Sequence, residues 1–219
     1  MRRWIEANSW TLGLAVLLAA LLLATKLIQP GFGASGLDSL ARAALPFALA
    51  TVGMAIVILA GGIDLSIAAM MAVASVTGAV LMQGATDAQS VAVVLGVLLL
   101  GLAMGAINGF LITVSRVPDI VVTLAMLIGF RGLARVLVTD NSLGDFPTWF
   151  TDLGQKGIIG PITLAILLFF ILLLLLGMTL HRSSFGRQVI VIGTNAEVAR
   201  FSGLNVARVK TVLFLLSAL

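Results

Sequence analysis

The sequence predicts an all-α polytopic membrane protein, with about six complete transmembrane helices plus the start of a seventh. Three observations carry that expectation. Of 219 residues, 60% are hydrophobic and only 10% charged, with a mean hydropathy of +1.18; a soluble globular chain carries about 25% charged residues. The apolar residues come in successive runs of about 20, the length a helix needs to cross a bilayer core. The breaks between runs are polar and rich in Pro, Gly and Asp, and none is so long and so basic as residues 181–210.

Composition also excludes. With no Cys there is no disulfide, thiol chemistry or thiolate metal site, and the single His181 cannot build a histidine metal centre or a His-based triad. No catalytic residue and no metal set is expected. The pI near 10.7 is not a nucleic-acid signal. So few charges let a small Lys/Arg excess move it far, and membrane orientation accounts for the excess.

The first run, residues 10–28, follows Arg2 and Arg3. It resembles a signal peptide but has no small-residue cleavage site, so it reads as an uncleaved helix. Trp4 and Trp10 suit the headgroup level, and Lys26 can snorkel outward. Residues 29–39, with Pro30, Gly31, Gly33 and Gly36, read as a loop. The apolar region 40–82 is too long for one span and is cut by Gly61-Gly62-Ile63-Asp64-Leu65-Ser66. It gives helices near 40–60 and 66–83, with Pro46 in the first turns, where a missing N–H is tolerated best.

After a loop at 83–90 comes a span at 91–114, then a tight turn at 115–119 with Pro118 and Asp119 where a helix starts. The next span, 120–138, carries Arg131 and Arg135. Residues 139–160 are polar and turn-rich, with Asp140, Asp145 and Asp152. Pro161 opens a sixth span ending near residue 180, apolar all round and therefore lipid-facing. Residues 211–219 begin a seventh. Nine residues make about 14 Å of helix, against a core about 30 Å thick. The chain thus reads as one transmembrane domain over 1–219, incomplete at its carboxyl end.

Orientation follows by counting. With a cytoplasmic amino terminus, the inner segments are 1–9, 61–66, 115–119 and 181–210. They hold Arg2, Arg3, Arg116, Arg182, Arg187, Arg200, Arg208 and Lys210, and the acids Asp38, Asp87, Asp140, Asp145 and Asp152 fall outside. Lys and Arg accumulate on the cytoplasmic side of membrane proteins.

Within residues 181–210, Thr194 and Glu197 form a T-x-x-E capping box. A helix over 195–202 follows, and Gly203 suits the left-handed residue past its end. A helix of about two turns is not stable alone. Val198 and Phe201 give it only a narrow apolar face, so it docks on a cytoplasmic protein rather than lying at the headgroups.

Four other features stand out, and three of them have two readings each. Gly61 and Gly62 with Asp64 are either an ordinary cap in a cytoplasmic turn or a broken helix beside a transport pathway. Gly101, Gly105 and Gly109 fall four apart, the small-xxx-small pattern of close helix packing. Asn108 beside them bonds across helices or lines the pathway. Arg131, about 16 Å into its span, is either a structural clamp or a lining residue near the outer mouth.

These motifs, taken together, resemble the permease subunits of bacterial ABC importers for monosaccharides, the ribose-type permease family. The resemblance covers essentially the whole chain. It rests on GGIDLS at 61–66, GAINGFLI at 105–112, P-x-I-V-x-T-L at 118–124, F-R-G at 130–132, FGR at 185–187 and IGTNAEVARFSGLNVARVK at 192–210. It implies a permease that pairs with a second permease subunit, like or unlike. It also implies two cytoplasmic ATP-binding subunits and a periplasmic sugar-binding protein. The segment similar to 194–203 is the family's cytoplasmic coupling helix, within a coupling loop at 181–210. The resemblance implies that Thr194 and Glu197 shape it and that Ala199, Arg200, Phe201 and Gly203 contact or position the ATPase. No GxxxxGK[ST] phosphate loop occurs, so the chain needs no cofactor of its own and ATP belongs to the partner. Members of the family continue through several further helices.

Two other classes compete. An ion-coupled secondary transporter wants deep acids and often internal repeats; only Asp64 is a candidate and no repeat is visible. A membrane-embedded enzyme wants a cluster of acids, His or Cys, and none is present.

Overall fold

The computed structural model describes residues 8–115, 117–138, 143–159 and 162–219. Arg2, Arg3, Trp4, Arg116, Asp140 and Pro161 lie outside the described residues. The chain runs through α1 (Ser9–Ile28), α2 (Ala34–Leu59), α3 (Ile67–Met82), α4 (Asp87–Ser115), α5 (Asp119–Leu137), α6 (Thr148–Gln155), β1 (Gly157–Ile159), β2 (Ile162–Thr163), α7 (Leu164–Arg182), α8 (Ser184–Thr194), α9 (Ala196–Phe201) and α10 (Val206–Ala218). The strands β1 and β2 pair antiparallel. The protein is an all-α polytopic membrane protein.

Among the described residues, five helices, α1, α2, α4, α5 and α7, are long and apolar enough to cross a membrane. The sixth apolar run, α3, has only 16 residues, about 24 Å of rise. It stops short of a core about 30 Å thick because its first part is unwound into the 61–66 break. Lys26 turns its Nζ onto the carbonyls of Pro30 and Phe32, at 2.8 and 2.5 Å, and so holds the short α1–α2 connection. That connection is tighter than a loop to residue 39: α2 already starts at Ala34, which places Pro46 in mid-helix rather than in the first turns. Helix α7 has no buried residue, in keeping with a surface that is apolar all round.

Apolar surface gains nothing by moving from lipid to a neighbouring helix, so packing depends on close approach. The glycines four apart on α4 supply it, and their neighbour is α10. A Cβ on Gly101 would stand 2.6 Å from the Ala218 carbonyl oxygen, and one on Gly109 would stand 2.9 Å from the Thr211 Cα. Neither backbone can yield.

Two packed clusters result. One joins Met70 and Val73 of α3 to Met104 of α4 and Phe130 of α5. The other gathers Val57 of α2, Ile112 of α4, Val189 and Ile192 of α8, Ala199 of α9, and Leu213 and Phe214 of α10.

The ends of the bundle separate as the alternating topology requires. At one end the 61–66 break, the start of α5 and the α8–α9–α10 segment meet: a Cβ on Gly61 would lie 3.5 Å from the Gly193 oxygen. At the other, Arg42 pairs with Asp38 and donates to the Gln155 carbonyl, and Trp149 Nε1 donates to Ser90 Oγ at 3.0 Å. There too Gly84 N–H donates to the Asp145 carbonyl at 3.1 Å.

Candidate functional site

The basic interval 181–210 is not a loop with one small helix in it. Ser183 Oγ accepts from Gly186 N–H at 3.0 Å and starts α8, an amphipathic helix whose Val189 and Ile192 are buried. Gly193, near its end, packs on the backbone of Leu59 and Ala60. Helix α8 therefore runs through Thr194, whose hydroxyl donates back to the Ile190 carbonyl at 3.0 Å.

The cap of α9 consequently shifts by one residue. Asn195, not Thr194, is the N-cap: its Oδ1 accepts from Glu197 and Val198 N–H at 2.9 and 3.0 Å. Among the described residues the Glu197 side chain makes no hydrogen bond, so no reciprocal box forms. The far end closes as expected. Gly203 has φ +82°, its N–H donates to the Arg200 carbonyl, and Leu204 N–H donates to the Ala199 carbonyl, both at 3.0 Å. This pair of bonds is the left-handed stop that glycine favours.

Capped at both ends, α9 divides its side chains sharply. Ala199 is fully buried on the core, whereas Val198 is 55% and Phe201 88% exposed. Glu197 and Arg200 are exposed as well. Of the residues expected here, Ala199 and Gly203 fix the helix, while Glu197, Arg200 and Phe201 present outward.

Behind α9 stands the broken segment. Gly61 has φ +72°, a conformation that side chains resist. The chain then folds back into the bundle and Asp64 is completely buried. Asp64 Oδ1 accepts from Ser66 N–H at 2.9 Å and from Ser66 Oγ at 2.6 Å, and its Oδ2 accepts from Ser217 Oγ at 3.2 Å. Asn108 Nδ2 donates to Ser66 Oγ at 2.7 Å. The Asn108 Oδ1 atom, also buried, has no partner among the described residues. Ser217 backbone also faces Gly53, six residues before the end of α2. That places the Asp64–Ser217 contact about 9 Å inside the helix ends. The break is therefore not a surface turn.

A second polar tie joins α10 to α5. Lys210 Nζ lies 2.7 and 3.0 Å from the two oxygens of Asp119, with both side chains mostly buried. Thr123, one turn on, donates to the Ile63 carbonyl at 3.1 Å, so the α5 start grips the break as well. Arg131, by contrast, is exposed on α5 and forms no ion pair or hydrogen bond with a described residue. The structure joins Gly61, Gly62, Asp64 and Asn108 in one region and leaves Arg131 apart.

Three participants were not singled out from sequence. Asn195 had the right chemistry, but Thr194 beside it had it too. Lys210 was one cation among five, and Ser217 one hydroxyl in an apolar run. Only the packing of α10 identifies the last two.

Curated relatives of the chain include permease proteins of an import system and of a transport system. The autoinducer 2 import system permease protein LsrD of Yersinia enterocolitica is 35% identical over 76% of this chain and 51% of its own length. The L-arabinose transport system permease protein AraH of Escherichia coli is 33% identical over 94% of this chain and 62% of its own. LsrD of Salmonella typhimurium is 31% identical over 95% and 64%. The chain thus spans roughly half to just under two-thirds of the length of these relatives. No solved structure matches it. A family model described as the permease component of the branched-chain amino acid transport system matches residues 36–219, and the chain belongs to that permease family.

Proposed function

We propose that this chain is the permease subunit of an ATP-driven ABC importer that carries a monosaccharide, or a similar small polar solute, across the bacterial inner membrane. The observation that carries the reading is α9. A helix too short to persist alone is held by two caps and by Ala199, and it turns Phe201 outward at 88% exposure. Such an aromatic suits burial by another protein. The names of the relatives support a transport system, and the solutes in those names, autoinducer 2 and L-arabinose, favour small polar solutes.

In this reading two cytoplasmic ATP-binding subunits bind and hydrolyse ATP, and this chain holds no cofactor. A second permease subunit and a periplasmic binding protein complete the importer. The amino terminus is cytoplasmic, supported by the Lys/Arg excess of the segment bearing α9. Closure of the ATPase pair draws the α9 helices together. Helix α10, tied to Asp119 and Asp64, carries that displacement into the bundle, and the spans rock between outward and inward access. Asp64 and Asn108 act structurally here, and Arg131 lines the outer part of the path. An ion-coupled mechanism would need Asp64 free to exchange an ion, yet both its oxygens are engaged by Ser66 and Ser217.

The test uses the full-length chain co-expressed with its ATP-binding partner. Glu197→Lys and Phe201→Asp should lower partner pull-down and solute uptake while membrane insertion persists. Undiminished pull-down by both variants would overturn the docking role. So would labelling of a Ser202→Cys variant from the outer face alone.

A further inference from the structure

Beside α9 lies a cavity of about 690 Å³, lined among others by Thr113, Val117, Asp119, Arg200, Ala207 and Lys210. It opens between the end of α4, the start of α5 and the α9–α10 corner. Its charges are unequal. Lys210 is already neutralised by Asp119 at 2.7 Å, whereas the Arg200 guanidinium forms no ion pair or hydrogen bond with a described residue. Among the described residues, Arg200 is thus an uncompensated cation at the pocket, next to the most exposed aromatic of the segment, Phe201.

Given the role of α9 proposed above, on which this rests, we infer that the pocket takes an acidic side chain of the cytoplasmic ATP-binding partner. That carboxylate pairs with Arg200 while the ring of Phe201 is covered beside it. When Phe201 is buried, Arg200 loses its water, and a desolvated guanidinium needs a fixed acceptor. A planar fork that binds a carboxylate through two bonds meets that need better than scattered dipoles. An aromatic and an Arg side by side are also the pair most often dominant at protein interfaces. The wider interval agrees in sign, with five basic residues against Glu197 over residues 181–210. An anionic lipid headgroup would also match Arg200. Against a lipid stands the shape of α9, which lacks the broad apolar face that interfacial helices use.

The experiment measures affinity of the ATP-binding partner for the full-length permease in nanodiscs of phosphatidylcholine and of phosphatidylglycerol, at low and high salt. Arg200→Glu should weaken binding by about tenfold or more. Arg200→Gln should weaken it less and flatten its dependence on salt, and Arg200→Lys should recover part of the loss. If Arg200 variants bind like the parent while Phe201→Ala loses the partner, the acidic pairing is wrong and the docking role survives. If neither Phe201→Ala nor any Arg200 variant weakens binding, both fail together. If Arg200→Glu leaves partner affinity intact but abolishes a preference for phosphatidylglycerol, the pocket is a lipid headgroup site and the inference is overturned.

Discussion

Ser217 donates to Asp64 across 3.2 Å, joining the helix that follows α9 to the unwound segment between α2 and α3. The two residues are 153 positions apart, and Asp64 is completely buried. This contact makes the GGIDLS break a socket for α10.

Asp64 should be the more costly member of that contact to remove. Asp64→Ala leaves Ser66 N–H and the Ser66 hydroxyl facing no acceptor in a buried site, while Ser217 Oγ can still donate to the Phe214 carbonyl at 3.1 Å. Each stranded polar group costs about 1–3 kcal/mol. Ser217→Ala strands only one oxygen of a carboxylate that keeps its other partner. Thermal unfolding of the purified protein in detergent should rank Asp64→Ala well below Ser217→Ala. Equal melting temperatures would mean that the network is not formed.

The α4–α10 contact predicts opposite signs at two kinds of glycine. Gly109→Val pushes a side chain into the Thr211 backbone, which a Cβ alone would approach to 2.9 Å. Overpacking of this kind costs about 1–3 kcal/mol or more. Gly96, on the same helix, has nothing within 4 Å of a built Cβ, so Gly96→Ala should be neutral or stabilising by up to about 1 kcal/mol. Melting curves of the two variants settle the matter; a shared direction of shift contradicts the packing described.

The Lys210–Asp119 pair should couple more strongly than a surface ion pair. Exposed pairs are worth about 0.2–1 kcal/mol. Here the side chains are only 20% and 13% exposed, and removing one partner leaves the other charge poorly solvated. In a double-mutant cycle with Lys210→Met and Asp119→Asn, the coupling energy should exceed about 1 kcal/mol. A value indistinguishable from zero would show that α10 is not anchored there.

The position of the α9 cap can be read directly. Asn195→Ala should loosen residues 196–201 by about 1 kcal/mol, the usual worth of an N-cap side chain. Thr194→Ala should do little, because its hydroxyl bonds within α8. Amide hydrogen exchange at Val198 and Ala199 is the measurement. Faster exchange in Thr194→Ala than in Asn195→Ala would restore the capping box.

Much of the architecture is written in local pattern. The apolar runs gave five long helices and a sixth shorter one, because length and hydropathy are properties of contiguous residues and the bilayer fixes the required span. Gly203 was legible for the same kind of reason: a left-handed stop is set by the residue itself. Helix α8 was not legible as a helix, because its polar and basic residues made residues 183–194 look like loop. Its period shows only once Val189 and Ile192 are seen against a core. The choice between Thr194 and Asn195 likewise turned on where α8 ends, which is a matter of packing.

By itself, then, the sequence determined that this is a helical membrane protein of the permease type. It determined where the chain bends and that a short capped helix sits in a basic interval. Only the tertiary structure decided that α10 lies in the glycine groove of α4, that Lys210 spends its charge on Asp119, and that Asp64 is buried against Ser217. The physical reason is separation along the chain. Helix formation and membrane insertion sum over neighbours, whereas partners 91 and 153 residues apart are chosen by how whole helices fit, and no local pattern encodes that fit.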